Sequence, residues 1–431
     1  MRKVYLSFLG LGNTNPKAGE LGYRKSIYGL NGTLSKETEF VQVAEMELLG
    51  GSEFDLVLIA ATQKSYDAHF EKKLKPQMAE FGTEPHYLIL DEDFTPEGQW
   101  KWFEKILAHI EPKDELIIDL THGYRAISII FSTAVNFLQK ARNIKLNAVY
   151  YGVFELTAQY GYAPIVDMKD FYLINEWADG VSRLVEDADA RKLAEAAEQT
   201  TDFQAGELND PEVISTFDDL TNTIRNVDVN NVAAKASAAL SLIRKKKETA
   251  SETGKILLDL VIDKFATLST GVPPSGRYDK DYFRIQLKII ELLLEHRLYM
   301  QAYTVMREFI ASLVMIYFEQ EGMKNKKRKK RRPTYGEAFV KLFQYPENEW
   351  KLSEYQQKYA DRIMPFYEKM KEIGVESKLR GFSNQLSDYR NGFDHAWTAK
   401  GGAKENIESF GKDCFQHLRE VMSLLESEKI L

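Results

Sequence analysis

The sequence predicts an α/β N-terminal domain built on a parallel sheet, then an all-α helical connector and an α-helical bundle. Three observations carry this. Through roughly the first 165 residues, continuous apolar runs bounded by turn residues alternate with amphipathic stretches. From about residue 167 to 270 no strand pattern survives. Beyond about residue 280 apolar residues recur at three- and four-residue spacing.

The first strand is Val4-Tyr5-Leu6-Ser7-Phe8-Leu9, which runs into Gly10-Leu11-Gly12-Asn13-Thr14. Short strands over 26–28 and 39–41 flank the turn signal Asn31-Gly32. A strand over 55–61 precedes a helix near 66–81, and a strand over 87–90 precedes a helix around 98–110. A strand over 115–119 leads into a helix over 124–141 and a last strand over 145–154. Strands apolar on both faces, alternating with helices, describe a Rossmann-like parallel sheet covered on both sides. Such sheets take ligands at the carboxyl ends of their strands.

The expected connector, 171–275, holds an acidic helix over 177–199 and an alanine-rich one over 230–244, without heptads or a fixed repeat. Thr270-Gly271-Val272-Pro273-Pro274-Ser275-Gly276 then breaks the chain. The last part, 276–431, carries helices over 282–296, 300–319, 335–342, 353–373, 379–389 and 406–428. A helical bundle is its natural outcome.

Composition excludes several classes. With 431 residues the chain can build two or three cores, and 44% hydrophobic with 28% charged residues describes a soluble globular protein. The one cysteine, Cys414, allows neither a disulfide framework nor a thiolate zinc site, which fits a cytoplasmic setting. The opening apolar run is too short for a signal peptide, and no run reaches the ~18–20 residues of a membrane span. The net charge of −7 is uneven: residues 276–431 hold 28 Lys+Arg against 23 Asp+Glu, leaving 29 against 41 before them. The basic C-terminal part suits a polyanion.

Candidate sites follow. Asp119-Leu120-Thr121-His122-Gly123 falls between a buried strand and a helix. That placement sets Thr121, His122 and the amides of Gly123, Tyr124 and Arg125 at a strand end and helix N-terminus, where a phosphate is favoured. A simple helix cap by Asp119 or Thr121 is the plainer alternative. The loops Gly10–Thr14 and Thr62-Gln63-Lys64 could share that mouth. Neither makes a GxGxxG fingerprint, and there is no Walker lysine motif. The seven histidines form no HExxH or similar ligand spacing, so no metal site is expected, and no GxSxG elbow occurs.

Near the end stands Arg390-Asn391-Gly392-Phe393-Asp394-His395. Asn391 and His395 are four apart, hence on one face of a helix. An imidazole to move a 2′-hydroxyl proton and a guanidinium to hold the phosphate are the groups metal-free RNA cleavage needs. The run Lys326-Lys327-Arg328-Lys329-Lys330-Arg331-Arg332 could hold an RNA backbone, or be only a solvated loop.

The string Asp119-Leu120-Thr121-His122-Gly123 resembles the Asp-x-Thr-His-Gly motif of CRISPR-associated DxTHG-motif proteins. Phe8-Leu9-Gly10, Tyr23, Tyr28, Thr38-Glu39-Phe40-Val41-Gln42, and Pro164-Ile165-Val166-Asp167 followed by Trp177 also look like that family. Met300 to Glu308 resembles the first core helix of a HEPN domain, and Arg390 to His395 fits its Arg-x(4–6)-His signature. The first loop departs from many relatives in lacking a threonine between Gly10 and Gly12.

The resemblance implies a CARF domain over 1–170 and a HEPN ribonuclease domain over 276–431, working as a homodimer or a dimer-based oligomer. A cyclic oligoadenylate would be the activator, cyclic tetra-adenylate before cyclic hexa-adenylate, and single-stranded RNA the substrate. No cofactor is implied. Two alternatives stay open: a non-catalytic nucleotide-sensing regulator, and a HEPN toxin-type ribonuclease held by a protein partner.

Overall fold

Residues Lys3–Leu9 (β1) extend as a strand in which six of seven residues are buried, as the uninterrupted apolar run requires. The computed structural model describes residues 1–14, 21–122, 125–199, 208–269, 277–320, 325–350, 352–398 and 405–431. After β1 come β2 (Asn13–Thr14), β3 (Leu21–Gly22), β4 (Tyr28–Leu30), β5 (Thr33–Leu34), α1 (Val41–Leu49) and β6 (Leu56–Ala61). A helical run follows, formed by α2 (Gln63–Ser65), a π-helical segment (Tyr66–Leu74) and α3 (Lys75–Ala79). Then come β7 (His86–Ile89), α4 (Pro96–Leu107), β8 (Glu115–Asp119), α5 (Arg125–Arg142), β9 (Lys145–Gly152), α6 (Thr157–Tyr160) and β10 (Ala163–Asp167).

The main sheet has the order β5-β4-β10-β9-β8-β1-β6-β7. The five successive strands β9, β8, β1, β6 and β7 are parallel, as expected. The edge differs. β10 runs antiparallel to β9, and β4 and β5 form an antiparallel hairpin, so the sheet is mixed. The link between β9 and β10 is too short for the helical crossover that a parallel pair needs. The hairpin turns on Asn31 and Gly32, both at positive φ, which is the geometry of a two-residue turn of the primed type.

A further difference lies at 39–41. Phe40 is extended, but it is the N-cap of α1 rather than part of a strand. Val43 and Met46 join Tyr5, Leu9, Phe70 and Leu74 in one core layer, and this packing overrides the strand preference of Val43. The opposite face of the sheet carries Val4, Leu6, Phe8, Trp102, Ile106, Val135 and Leu138.

The chain divides into two compact units, Met1–Asn175 and Glu176–Leu431. The second contains most of α7 (Lys169–Asp187), then α8 (Arg191–Gln199), α9 (Pro211–Arg225), α10 (Val232–Lys247) and α11 (Glu252–Phe265). It continues with α12 (Lys280–Glu295), α13 (Tyr299–Gln320), α14 (Asn325–Gln344), α15 (Glu354–Glu372), α16 (Val375–Asp394) and α17 (Ile407–Ser427). One continuous hydrophobic core runs from Trp177 on α7 through Phe217, Phe265 and Phe309 to Leu425. The expected boundary at 270–276 lies outside the described residues. Helix α14 begins ten residues before the expected start at 335, because lysine and arginine are good helix formers.

Candidate functional site

In β1 and β8, Ser7 stands opposite Asp119. The chain leaves the two strands for opposite faces: α1 follows β1 on one side, α5 follows β8 on the other. Their carboxyl ends therefore diverge into a crevice, the topological switch point where doubly wound sheets take ligands.

Asp119 is fully buried. Ser7 Oγ donates to its Oδ2 at 2.6 Å, and the Thr121 amide donates to its Oδ1 at 3.0 Å. The Thr121 hydroxyl also donates to Oδ1 and accepts from the Gly152 amide at 2.8 Å. Asp119, expected among the ligand contacts, thus faces inward and holds the turn that presents Thr121 and His122. Burial pushes its carboxyl up to about 6, against the lowering effect of these donors. Gln42 Nε2 on α1 ties the same network to the strand end, donating to Ser7 Oγ at 3.0 Å and to the Phe8 carbonyl at 2.9 Å.

A column of rings stands at this mouth. His122 packs against Tyr23 at a tilt of 39° with centroids 4.1 Å apart, and Tyr23 lies 5.6 Å from His69. His69 belongs to the buried side of the π-helical segment, and its Nε2 lies 3.0 Å from the Leu11 carbonyl oxygen. That contact fixes the loop after β1 to the helix after β6. Burial, with His69 nearby, pushes His122 down to about 3, so its ring is neutral at pH 7. Its Nε2 is buried without a hydrogen-bond partner among the described residues. Gly10 allows the approach: a Cβ there would sit 2.8 Å from the His122 carbonyl oxygen.

Four strand ends meet at one small cavity, whose lining includes Leu9, Thr62, Leu90, Glu92 and His122. Thr62 is buried and caps α2, its Oγ1 accepting from the Ser65 amide at 3.3 Å. Gln63 Nε2 donates to Asp67 at 2.8 Å, and Lys64 pairs with Glu92 at 2.6 Å. Asn13 and Thr14 form β2, paired with β3. Gly123 and Tyr124 lie outside the described residues, and Arg125 opens α5. His69 carried no signal in a local string. Only an imidazole beside Phe70 on an otherwise core-facing helix could have marked it.

In the helical unit, α16 is anchored on its inner face. Tyr303 of α13 stacks on Tyr389 at 5.3 Å, meets Phe393 edge-on at 5.6 Å, and donates from its hydroxyl to the Ile407 carbonyl at 2.6 Å. The outer edge of the last turn carries Arg390, Asn391 and Asp394. Arg390 Nη1 lies 2.7 Å from Asp394 Oδ2 and 3.4 Å from Asn391 Oδ1. His395 is exposed and stands one residue past the helix as its C-cap, its N–H donating to the Asn391 carbonyl at 3.0 Å. Asn391 and His395 therefore span the helix end rather than a helix face.

The side chains of residues 326–331, on the first turns of α14, are outside the described residues. Arg332 is described and engaged: it forms an ion pair with Glu308 and donates to Ser312 Oγ at 3.0 Å. It anchors α14 to α13. Among the described residues no group of three His, Cys, Asp or Glu side chains could hold a metal ion. No helix among them is long and apolar enough to cross a membrane.

The molecule thus combines a crevice at strand ends with an Arg/Asn/His cluster at a helix end. No protein-family model matches the sequence. The sequence is 22% identical over 264 residues to the CRISPR-associated protein MJ1674 of Methanocaldococcus jannaschii, covering 47% of this chain. The match spans 41% of that relative's length. The structure of Enterococcus italicus Csm6 bound to cyclic hexa-2′-fluoro-hexa-dAMP aligns over 99% of this chain and 95% of that one, at 12% identity. Its TM-score of 0.38 is too low to define a common fold.

Proposed function

We propose that this chain is a cyclic-oligoadenylate-activated, metal-independent endoribonuclease acting on single-stranded RNA in type III CRISPR defence. The observation that carries the reading is the gathering of Arg390, Asn391 and His395 at an exposed helix end whose inner face is fixed in the core. Similarity to a CRISPR-associated protein supports the setting.

In this reading two copies of the chain pair so that two such helix ends face one cleft. One His395 takes the proton of a ribose 2′-hydroxyl as that oxygen attacks the adjacent phosphorus. The other gives a proton to the departing 5′-oxygen. Arg390 holds the phosphate and its developing charge, and Asn391 orients the RNA. The products are a 2′,3′-cyclic phosphate and a 5′-hydroxyl end. Residues 326–331 hold RNA phosphates, while Arg332 braces their helix.

The activator sits at the strand mouth, against the turn of Thr121 and His122 and the loop from Gly10. It acts by binding the active pairing more tightly than the inactive one. The test is cleavage of a fluorescent single-stranded RNA in EDTA, with no activator, cyclic tetra-adenylate or cyclic hexa-adenylate. Cleavage with one ring, preferably the tetra-adenylate, and its loss in Arg390→Ala and His395→Ala is expected. Cleavage without any ring would favour a toxin-type ribonuclease, and no cleavage a sensor without catalysis.

A further inference from the structure

His395 owes its place to the three residues that follow it. At the end of α16 the chain folds back on itself: the Trp397 N–H donates to the Gly392 carbonyl at 2.7 Å and the Ala396 N–H to the Phe393 carbonyl at 3.2 Å. The His395 carbonyl accepts from the Thr398 amide at 3.0 Å and from Thr398 Oγ1 at 2.8 Å. With the His395 N–H bound to Asn391, the peptide groups on both sides of the imidazole are fixed.

The fold-back is strained. Ala396 and Trp397 take φ of 49° and 59°, the left-handed region that a residue with a side chain avoids at a cost of about 1–2 kcal/mol each. Something must offset that cost, and the indole does. Trp397 packs edge-on against Phe393 at 5.3 Å and against Tyr389 at 5.9 Å. It also lies close against Gly392, where a Cβ would come within 2.4 Å of the ring. The glycine inside the Arg-to-His string is therefore the seat of the indole, a role the string alone does not reveal.

We propose that Trp397, seated on Gly392, is a positioning residue that fixes the backbone carrying the His395 imidazole at the helix end that bears Arg390, so that the working motif extends to Thr398. The proposal rests on the ribonuclease reading, but the placement of His395 can be measured apart from it. Diethyl pyrocarbonate modifies exposed imidazoles, and peptide mapping by mass spectrometry, after the folded protein is labelled, reads the rate at His395 alone.

The experiment compares wild type with Trp397→Ala, Trp397→Phe and Gly392→Ala. In Trp397→Ala and Gly392→Ala the modification rate changes severalfold, and kcat of activated cleavage falls about 10- to 100-fold with KM within twofold. Trp397→Phe restores most of both. Adding Gly392→Ala to Trp397→Ala costs nothing more, since the clash is gone. An unchanged modification rate in a folded Trp397→Ala protein would overturn the proposal, as would a loss confined to KM. If wild type cleaves no RNA, the ribonuclease reading fails while the labelling comparison still decides the role of Trp397.

Discussion

The guanidinium of Arg390 rests 2.7 Å from the carboxylate of Asp394, one turn further along the same helix. An acid in the last turn of a helix opposes the macrodipole, so Asp394 gains little from its position beyond this pair. Both side chains are about a third exposed, at 35% each. An ion pair of that kind is worth about 0.2–1 kcal/mol. In the ribonuclease reading, an RNA phosphate that takes Arg390 Nη1 displaces this pair.

Replacing Asp394 with asparagine should therefore tighten RNA binding. The gain expected from the pair's strength is about 1.4- to 5-fold, read by fluorescence anisotropy in EDTA in a His395→Ala background. A weakened affinity would instead make Asp394 part of what holds Arg390 in place for substrate.

His69 gives a second prediction. Its bond to the Leu11 carbonyl holds the loop after β1, and His69→Phe keeps the ring while removing the donor. A buried carbonyl left unpaired costs about 1–3 kcal/mol. Affinity for the cyclic oligoadenylate should fall about 5- to 150-fold by calorimetry. Cleavage at saturating ligand should hold near the wild-type rate. Equal affinity in the variant would remove His69 from the ligand site.

Much of this architecture was legible in residue order, and the failures have physical causes. The strands β1, β6, β8 and β9 are long apolar runs, and such runs have few other fates. The turn at Asn31-Gly32 needs positive φ, so two residues marked it. The antiparallel β10 depends on the length of a link, not on composition. Helices α9 and α11 went unread, although Asp210 before Pro211 and Ser251 three residues before Gly254 cap their starts. The strings Asp119 to His122 and Arg390 to His395 were legible as strings, and the structure places the first at strand ends and the second at an exposed helix end. Of their supports, Tyr23 entered only through the resemblance, while His69 and Trp397 did not announce themselves, because packing across many residues or through a fold-back leaves no spacing to read.

Asp119 predicts a pH dependence. Its folded pKa of about 6 exceeds the ordinary carboxylate value, so between pH ~4 and ~6 the folded state binds more protons than the unfolded one. The stability it contributes is present below pH ~4 and is lost as pH rises through 6. Relative to Asp119→Asn, the wild type should lose about 2 kcal/mol between pH 4 and pH 7. Hydrogen exchange of the β1 and β8 amides across that range measures the difference. A parallel pH course in both proteins would show that Asp119 does not titrate there.

The basic turns of α14 make the fourth prediction. Changing Lys326, Lys327, Lys329 and Lys330 to glutamine keeps good helix formers in place while removing charge. RNA affinity should fall, and the slope of log affinity against log salt should shrink by about 0.7 for each phosphate that the variant no longer neutralises. An unchanged slope would mean that these lysines do not meet RNA.

The continuous core of the second unit also bears on how such a chain can be rebuilt by recombination. Val261 and Phe265 of α11 share one interior with Phe283 and Ile289 of α12. A crossover between those helices would give the offspring two half-interiors, each exposing apolar surface. A crossover near the division at Asn175 and Glu176 would pass the helical unit on whole. A lineage could then fit a different N-terminal unit to the same helical unit without redesigning either interior.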